Sequence, residues 1–178
     1  MSIHVALLRA VNVGGNNRLP MRDLVAMFEA AGARDVRTYI QSGNVVFDAA
    51  PRVAPRIVAA VRDAIARDLG LRVPLVLRTA AELHAAAAGN PFLAEEEDRV
   101  YVGFLADLPT KAAVAALDPG RSPPDRFVVR GREIYLHLPT GAARTKITVD
   151  WLDRNLGTVT TLRNWRTVTK LDAMARGA

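Results

Sequence analysis

Two short polar stretches hold the residue types that could recognise a ligand. V-N-V-G-G-N-N (residues 11–17) follows an apolar run and precedes a helical pattern, and I-Q-S-G-N (residues 40–44) lies between two β-rich runs. Backbone N–H groups of glycines before a helix can face an anion. Amides orient ligands well but transfer protons poorly. The candidate ligand-binding residues are Arg9, Asn12, Gly14, Gly15, Asn17, Gln41, Ser42 and Asn44, with Asn16 and Arg18 beside them. The alternative is that these asparagines and glycines only form turns and caps.

A second set of polar residues lies late in the chain. T-G-A-A-R-T-K-I-T covers residues 140–148, and L-R-N-W-R-T covers residues 162–167. Two predicted helix N-termini bring partial positive charge to this set, which favours an anion or a nucleotide. The candidate ligand-binding residues are Arg144, Lys146, Arg163, Asn164 and Trp165, together with Arg166 and Thr167. The alternative is that Arg163 pairs with a carboxylate and Trp165 packs between the two halves of the chain.

Other chemistries have little support in the sequence. The chain has no cysteine, which excludes disulfides, thiolate metal sites and thiol catalysis. The three histidines lie far apart, and neither G-x-G-x-x-G nor the Walker A motif is present. Ser42 has no histidine or lysine nearby that would activate it as a nucleophile. We therefore expect no metal and no cofactor.

Composition predicts a cytoplasmic protein with a packed core. Half of the 178 residues are hydrophobic, no apolar run approaches the ~20 residues that span a bilayer, and the first residues lack a signal-peptide pattern. The net charge of +6 permits a nucleic acid or another anionic partner. However, arginine outnumbers lysine 21 to 3, as a GC-rich genome would also produce. The expected partners are an anionic small molecule or nucleic acid, with no membrane, and a monomer is favoured.

The order of predicted elements is β-α-β-β-α-β in each half of the chain. Tight hairpins are expected at Gly43 and Gly131, and each half ends with a strand followed by Leu-Arg and a helix. In the second half, a helix is expected over residues 145–156 and the last strand over T-V-T-T-L, residues 158–162. This pattern predicts an α+β protein built by internal duplication of a ferredoxin-like unit, with a C-terminal helix. The predicted halves are residues 1–93 and 94–178, divided near an acidic run and packed together as one globular protein.

Topology predicts which loops are neighbours. The first and second strands of a ferredoxin-like unit run in the same direction, so V-N-V-G-G-N-N and I-Q-S-G-N should lie side by side at one end of the first sheet. The loop after the third strand and the exit of the fourth lie at the opposite end. The second polar set should therefore gather at that end of the second sheet.

Several of these motifs together resemble a known family. L-L-R-A-V-N-V-G-G-N-N, R-T-Y-I-Q-S-G-N-V-V-F, N-P-F, R-T-K-I-T and R-N-W-R-T-V-T-K-L are similar, in this order, to domain of unknown function 1697. The resemblance runs from residue 1 to about 174 and implies a duplicated α+β fold in an uncharacterised bacterial family. The chain departs from the family's usual pattern at four positions. Ala10 stands where glycine is usual, Asn16 where lysine is common, Leu162 in place of threonine and Arg166 in place of asparagine.

Three functions are compatible with the sequence. The first is a binding module for an anionic or phosphorylated ligand, nucleotide or nucleic acid included. The second is an enzyme acting on a small polar metabolite in a cleft between the halves, with Asp23, Tyr39, Lys146 and Lys170 as the only nearby proton donors or acceptors. In the third, the polar motifs only hold the two halves together. The residues of these motifs are mostly Arg, Asn, Gln, Gly and Trp, and these residue types favour ligand recognition over acid–base chemistry.

Overall fold

The structure, a computed structural model, describes residues 2–14 and 18–177. Within those residues it is an α+β fold with two four-stranded antiparallel sheets and six α-helices. The chain divides into two compact units, Met1–His84 with Leu171–Ala178, and Ala85–Lys170. The first unit carries net charge +4 and the second +2. The positive charge is therefore greater in the unit that contains V-N-V-G-G-N-N.

The first sheet is built from four strands in the order β2-β3-β1-β4. The elements of this part of the chain are β1 (Ser2–Leu8), α1 (Met21–Ala30), β2 (Arg34–Tyr39), β3 (Asn44–Ala49), α2 (Ala54–Leu69), β4 (Leu75–Thr79) and α3 (Ala80–Ala88). Phe28 of α1 and Ile57 of α2 pack with Phe47 of β3 in one buried core. This core fixes the helices on one face of the sheet.

The second sheet has the corresponding order, β6-β7-β5-β8. Its elements are a 3-10 turn (Glu97–Arg99), β5 (Val100–Leu105), α4 (Lys111–Ala115), β6 (Arg126–Arg130), β7 (Glu133–His137), α5 (Val149–Leu156), β8 (Thr160–Asn164) and α6 (Trp165–Ala175). Leu136 packs with Leu152 and Leu156 of α5 in its core. Among the described residues, no helix has the length and apolarity to cross a bilayer.

Two boundaries in the second half differ from the sequence prediction. The helix expected from residue 145 begins at Val149, because Thr148 has extended backbone and its hydroxyl accepts a hydrogen bond from Trp151 N. The last strand was expected to end at Leu162 but continues to Asn164. Thr158 instead lies outside the strand, where its hydroxyl accepts a bond from Asp107 N. These shifts change how the second polar set is arranged.

Candidate functional site

The two polar loops of the first unit lie side by side, and Asn12 joins them. We call residues 9–14, 18–20 and 40–43 the loop pair. The Asn12 amide donates to Leu19 O at 2.8 Å and to Gln41 O at 2.7 Å, and its Oδ1 accepts from Leu19 N at 2.9 Å. One side chain therefore closes the first loop and attaches it to the hairpin. Gly15, Asn16 and Asn17 lie outside the described residues.

Asn44 and Gly43 shape the hairpin. Asn44 is fully buried, and its amide donates to Tyr39 O at 3.0 Å and to Ser42 Oγ at 2.9 Å. Gly43 has φ +75°, and a Cβ added there would lie 2.6 Å from side-chain atoms of Leu8 and of Val11. Its carbonyl accepts from Leu8 N at 2.8 Å. The position therefore needs glycine for both conformation and space.

The loop pair contains backbone conformations that most residues avoid. Ala10 and Asn12 both have φ +55°, and Ile40 has φ +48°. Left-handed backbone is uncommon outside glycine and is a genuine outlier for a β-branched residue. Such strain persists only where the surrounding structure imposes it, and it concentrates at functional sites. Three such residues in two adjacent loops set this end of the first sheet apart.

The exposed surface of the loop pair combines a cation, backbone and apolar groups. Arg18 is exposed and makes no hydrogen bond or ion pair with any residue that the structure describes. Gly14 is exposed at φ +58°, and a Cβ added there would meet no described atom within 4 Å. Val13 is 61% exposed and Ile40 50% exposed. Arg9 is half-buried and the Gln41 side chain is exposed.

The second polar set is divided by the pleat of β8. Arg163 pairs with Val102 and Asn164 with Tyr101 across the sheet, so the two side chains project from opposite faces. Arg163 is 9% exposed and donates to Leu162 O at 2.9 Å. Burial lowers the pKa of its guanidinium to about 10. Asn164 is exposed and its Oδ1 accepts from Thr167 N, which caps α6.

The other members of that set are spread over the surface of the second unit. The register places the ends of β7 and β8 at the same end of the sheet. Arg144 and Lys146 are exposed in the loop after β7, and Trp165 is half-buried at the start of α6. A cleft of about 150 Å³ lies at this end, lined by Glu97, Asp98, Tyr101, Asn164 and Arg166. Its two carboxylates oppose an anionic ligand.

Two ionic groups were missed at the sequence level. Arg126 bonds both Glu95 and His137, with its Nη2 3.0 Å from His137 Nδ1. The bond from Arg126 holds the pKa of Glu95 below its usual value. His84 Nδ1 lies 3.2 Å from Asp172, which is 6% exposed. The partners in these groups are 11 to 88 residues apart in the sequence, so no local motif predicts that they are paired. No metal-holding group of three such side chains occurs among the described residues.

Tyr135 provides a pH-dependent test of the packing in the second unit. Its hydroxyl donates to Ala86 O at 2.8 Å, and burial raises its pKa to about 12. The folded state favours the neutral phenol of Tyr135. The contribution of this group to the free energy of unfolding is therefore complete below pH ~10 and is lost as the pH rises towards 12. We expect a late step in the tyrosinate absorbance titration that Tyr135→Phe removes. A late step that persists in this variant and disappears in Tyr39→Phe would contradict the assignment.

Comparisons with known proteins agree with the fold. The sequence model of a family described as protein of unknown function (DUF1697) matches residues 1–135, which confirms the family that the motifs indicated. The motifs R-T-K-I-T and R-N-W-R-T-V-T-K-L lie beyond the matched range. Among solved structures, the chain is similar to the conserved bacterial protein SP0830 from Streptococcus pneumoniae, with a TM-score of 0.71 and 20% identity over 99% of each chain. At this identity the likeness concerns the fold. No curated protein matches the chain.

Proposed function

The chain belongs to the DUF1697 family of proteins of unknown function, and we propose that it is a binding module whose loop pair holds the anionic group of a ligand. The observation that carries the proposal is the strained, locked geometry of the loop pair. Ala10, Asn12 and Ile40 all have left-handed backbone there. The hydrogen bonds of Asn12 hold the two loops together. Strain of about 1–3 kcal/mol per residue is tolerated where it positions a site.

Within the proposed site the residues have different tasks. Asn12 and Asn44 build the loops, because their amides bond backbone and side-chain atoms of the protein. The ligand would be met by the Arg18 guanidinium, by backbone at the exposed Gly14 and by the Gln41 amide. An Arg guanidinium and backbone N–H groups are common partners of phosphate and carboxylate. Arg9 and Ser42 would support the site from the edges of the two loops.

The second polar set supports a separate, weaker proposal. Asn164 caps α6, and Arg166 lines the adjacent cleft with Tyr101. A ligand there would have to tolerate the carboxylates of Glu97 and Asp98. We therefore assign anion binding to the loop pair first, and propose Arg144, Lys146, Asn164 and Trp165 only as a secondary surface. Arg163 is buried on the other face of β8 and is left out of that surface.

The finer architecture belongs to the same proposal. We infer that the chain arose by duplication of a ferredoxin-like unit, with halves near residues 1–93 and 94–178. The equivalent strand orders of the two sheets support this inference. So do the equivalent arginines, since Arg78 and Arg163 both lie near the end of the fourth strand, are buried and donate to the preceding carbonyl at 2.9 Å. A cytoplasmic location is proposed from composition.

The proposal is tested by titrating inorganic phosphate into the full chain and into two single variants, Arg18→Ala and Arg56→Ala. Both variants remove one exposed arginine, but Arg56 lies near the start of α2, at the other end of the first sheet. We expect inorganic phosphate to bind in low salt and more weakly in high salt, because screening reduces attraction between exposed charges. Arg18→Ala should weaken binding about ten-fold, equivalent to ~1.4 kcal/mol. Arg56→Ala should leave it unchanged.

Two results would overturn the proposal. The first is the absence of phosphate binding by calorimetry in low salt. The second is an equal loss in the two variants, which would mean that the phosphate responds to net charge rather than to a site. Amide shifts in a nuclear magnetic resonance titration give a local check, since the Gly14 signal should move and signals at the start of α2 should not.

A further inference from the structure

An open cavity lies beside the loop pair in the first unit. It has a volume of about 310 Å³ and is lined by Arg62, Asp63, Ala66, Arg72, Val73 and Pro74. The wall consists of the α2 surface on one side and the segment before β4 on the other. Small-molecule sites usually occupy about 300–1,000 Å³. The cavity falls within this range, whereas the cleft at Asn164 is half as large.

The backbone connects this cavity directly to the loop pair. Pro74 O accepts a hydrogen bond of 3.0 Å from Arg9 N, the first residue after β1. Leu8 and Leu75 are paired across the sheet immediately beside it. The cavity and the loop pair therefore open at the same end of the first sheet.

The lining of the cavity is apolar in its wall and basic at its rim. Ala66, Val73 and Pro74 provide aliphatic surface. Arg72 is exposed and has no hydrogen-bond or ion-pair partner among the described residues. Arg62 lies 3.5 Å from Asp63, the single carboxylate of the lining, and that pair is exposed. The arrangement suits a molecule with an apolar ring and a negative group.

We propose that this cavity receives the ring of a small ring-bearing phosphate or carboxylate whose anionic group binds at the loop pair. The inference rests on the proposed function and narrows its ligand to a compound of mononucleotide size. The ring would pack on Ala66 and Val73, and Arg72 would add a second positive charge near the anion. A nucleic acid strand is disfavoured for two reasons. A cavity of this size accepts one ring, and its lining contains only two basic residues, Arg62 and Arg72, which are too few to follow a phosphate backbone.

The test compares four probes with the full chain by calorimetry. They are inorganic phosphate, phenyl phosphate, adenosine monophosphate and a single-stranded adenylate oligonucleotide. We expect at least one of the two ring-bearing phosphates to bind about ten-fold more tightly than inorganic phosphate, since burial of a ring adds ~1.4 kcal/mol or more. The oligonucleotide should bind no more tightly than the better of these two.

Ala66→Leu and Ala60→Leu form a matched pair of variants. Both positions are exposed on α2, and leucine retains the helix propensity of the site. Three added carbon atoms at Ala66 occupy the cavity, whereas Ala60 lies in the groove towards α1. We expect Ala66→Leu to remove the ten-fold preference for the ring-bearing phosphate and to leave binding of inorganic phosphate unchanged. Ala60→Leu should change neither.

The outcomes separate this inference from the proposed function. If inorganic phosphate binds at the loop pair but ring-bearing phosphates bind no more tightly, the inference is overturned and the proposed function stands. The same conclusion follows if Ala66→Leu and Ala60→Leu behave alike. Tightest binding of the oligonucleotide, unaffected by Ala66→Leu, overturns the inference in favour of a nucleic acid. If none of the probes binds, both proposals fail.

Discussion

Replacing Gly43 with alanine is expected to lower the free energy of unfolding by about 3 kcal/mol. Two effects add at this position. The φ of +75° strains any residue with a Cβ, and the new methyl group would lie 2.6 Å from Leu8 and Val11. Both neighbours are buried members of the first core. The hairpin must shift away from β1, which also stretches the bond between Leu8 N and Gly43 O.

Gly14→Ala is the matched control for Gly43→Ala. It has a similar φ of +58°, but an added Cβ there meets no described atom within 4 Å. Only the conformational penalty remains, so we expect a loss of about 1 kcal/mol. Urea denaturation followed by circular dichroism measures both variants. Equal losses in the two variants would show that steric contact with Leu8 and Val11 does not determine the requirement for glycine.

The arrangement of the loop pair follows from features visible in the sequence. Alternating and helical patterns predict the order of the elements, and right-handed crossovers then place the loop after β1 beside the hairpin. The glycine at residue 43 marks the hairpin turn. The structure also gives a physical reason for the glycine that the family's pattern usually has at residue 10, because Ala10 has φ +55°, a conformation that glycine adopts more easily. Local chemistry and topology are sufficient for this part of the fold.

The division of tasks among the polar residues does not follow from the sequence. Whether an asparagine faces solvent or bonds the backbone depends on side-chain geometry between segments, such as Asn12 with Gln41, 29 residues apart. In the second polar set, the stretch L-R-N-W-R-T is predicted to follow the last strand, because the strand pattern T-V-T-T-L ends at Leu162. Since β8 continues to Asn164, alternation applies and separates Arg163 from Asn164. A difference of two residues in a strand boundary thus places two residues of the predicted set on opposite faces of the sheet.

Charge and volume together favour the first unit as the location of a ligand. The second unit has as many basic residues, but its cleft at Asn164 contains two carboxylates and only about 150 Å³. The first unit has net charge +4, a cavity of about 310 Å³ and strained loops at the same end of its sheet. Strain alone would be compatible with a structural role. What favours recognition is the position of these loops beside a cavity whose Arg72 has no ionic partner among residues 2–14 and 18–177.

The strongest single test of the loop pair is the substitution Asn12→Ala. It removes three hydrogen bonds, to Leu19 O, from Leu19 N and to Gln41 O, and it places alanine at φ +55°. At about 0.5–1.5 kcal/mol for each bond, we expect a loss of 2–3 kcal/mol in the free energy of unfolding. Hydrogen exchange at the Leu19 amide should accelerate, because its acceptor is lost. Phosphate affinity should fall as well, because the bond from Asn12 to Gln41 O between the two loops is lost.

Two further variants separate the effect of the lost hydrogen bonds from that of backbone strain, and the effect on stability from that on phosphate binding. Asn12→Gly keeps the left-handed conformation available, so its loss of stability reports the hydrogen bonds with little contribution from strain. Gln41→Ala removes another amide from the loop pair but retains the backbone carbonyl to which Asn12 donates. We expect Asn12→Gly to weaken both folding and phosphate binding, and Gln41→Ala to weaken binding alone. If Asn12→Gly is as stable as the parent chain, Asn12 does not hold the loops together. If it loses stability but binds phosphate fully, the geometry that Asn12 imposes is not what creates the site.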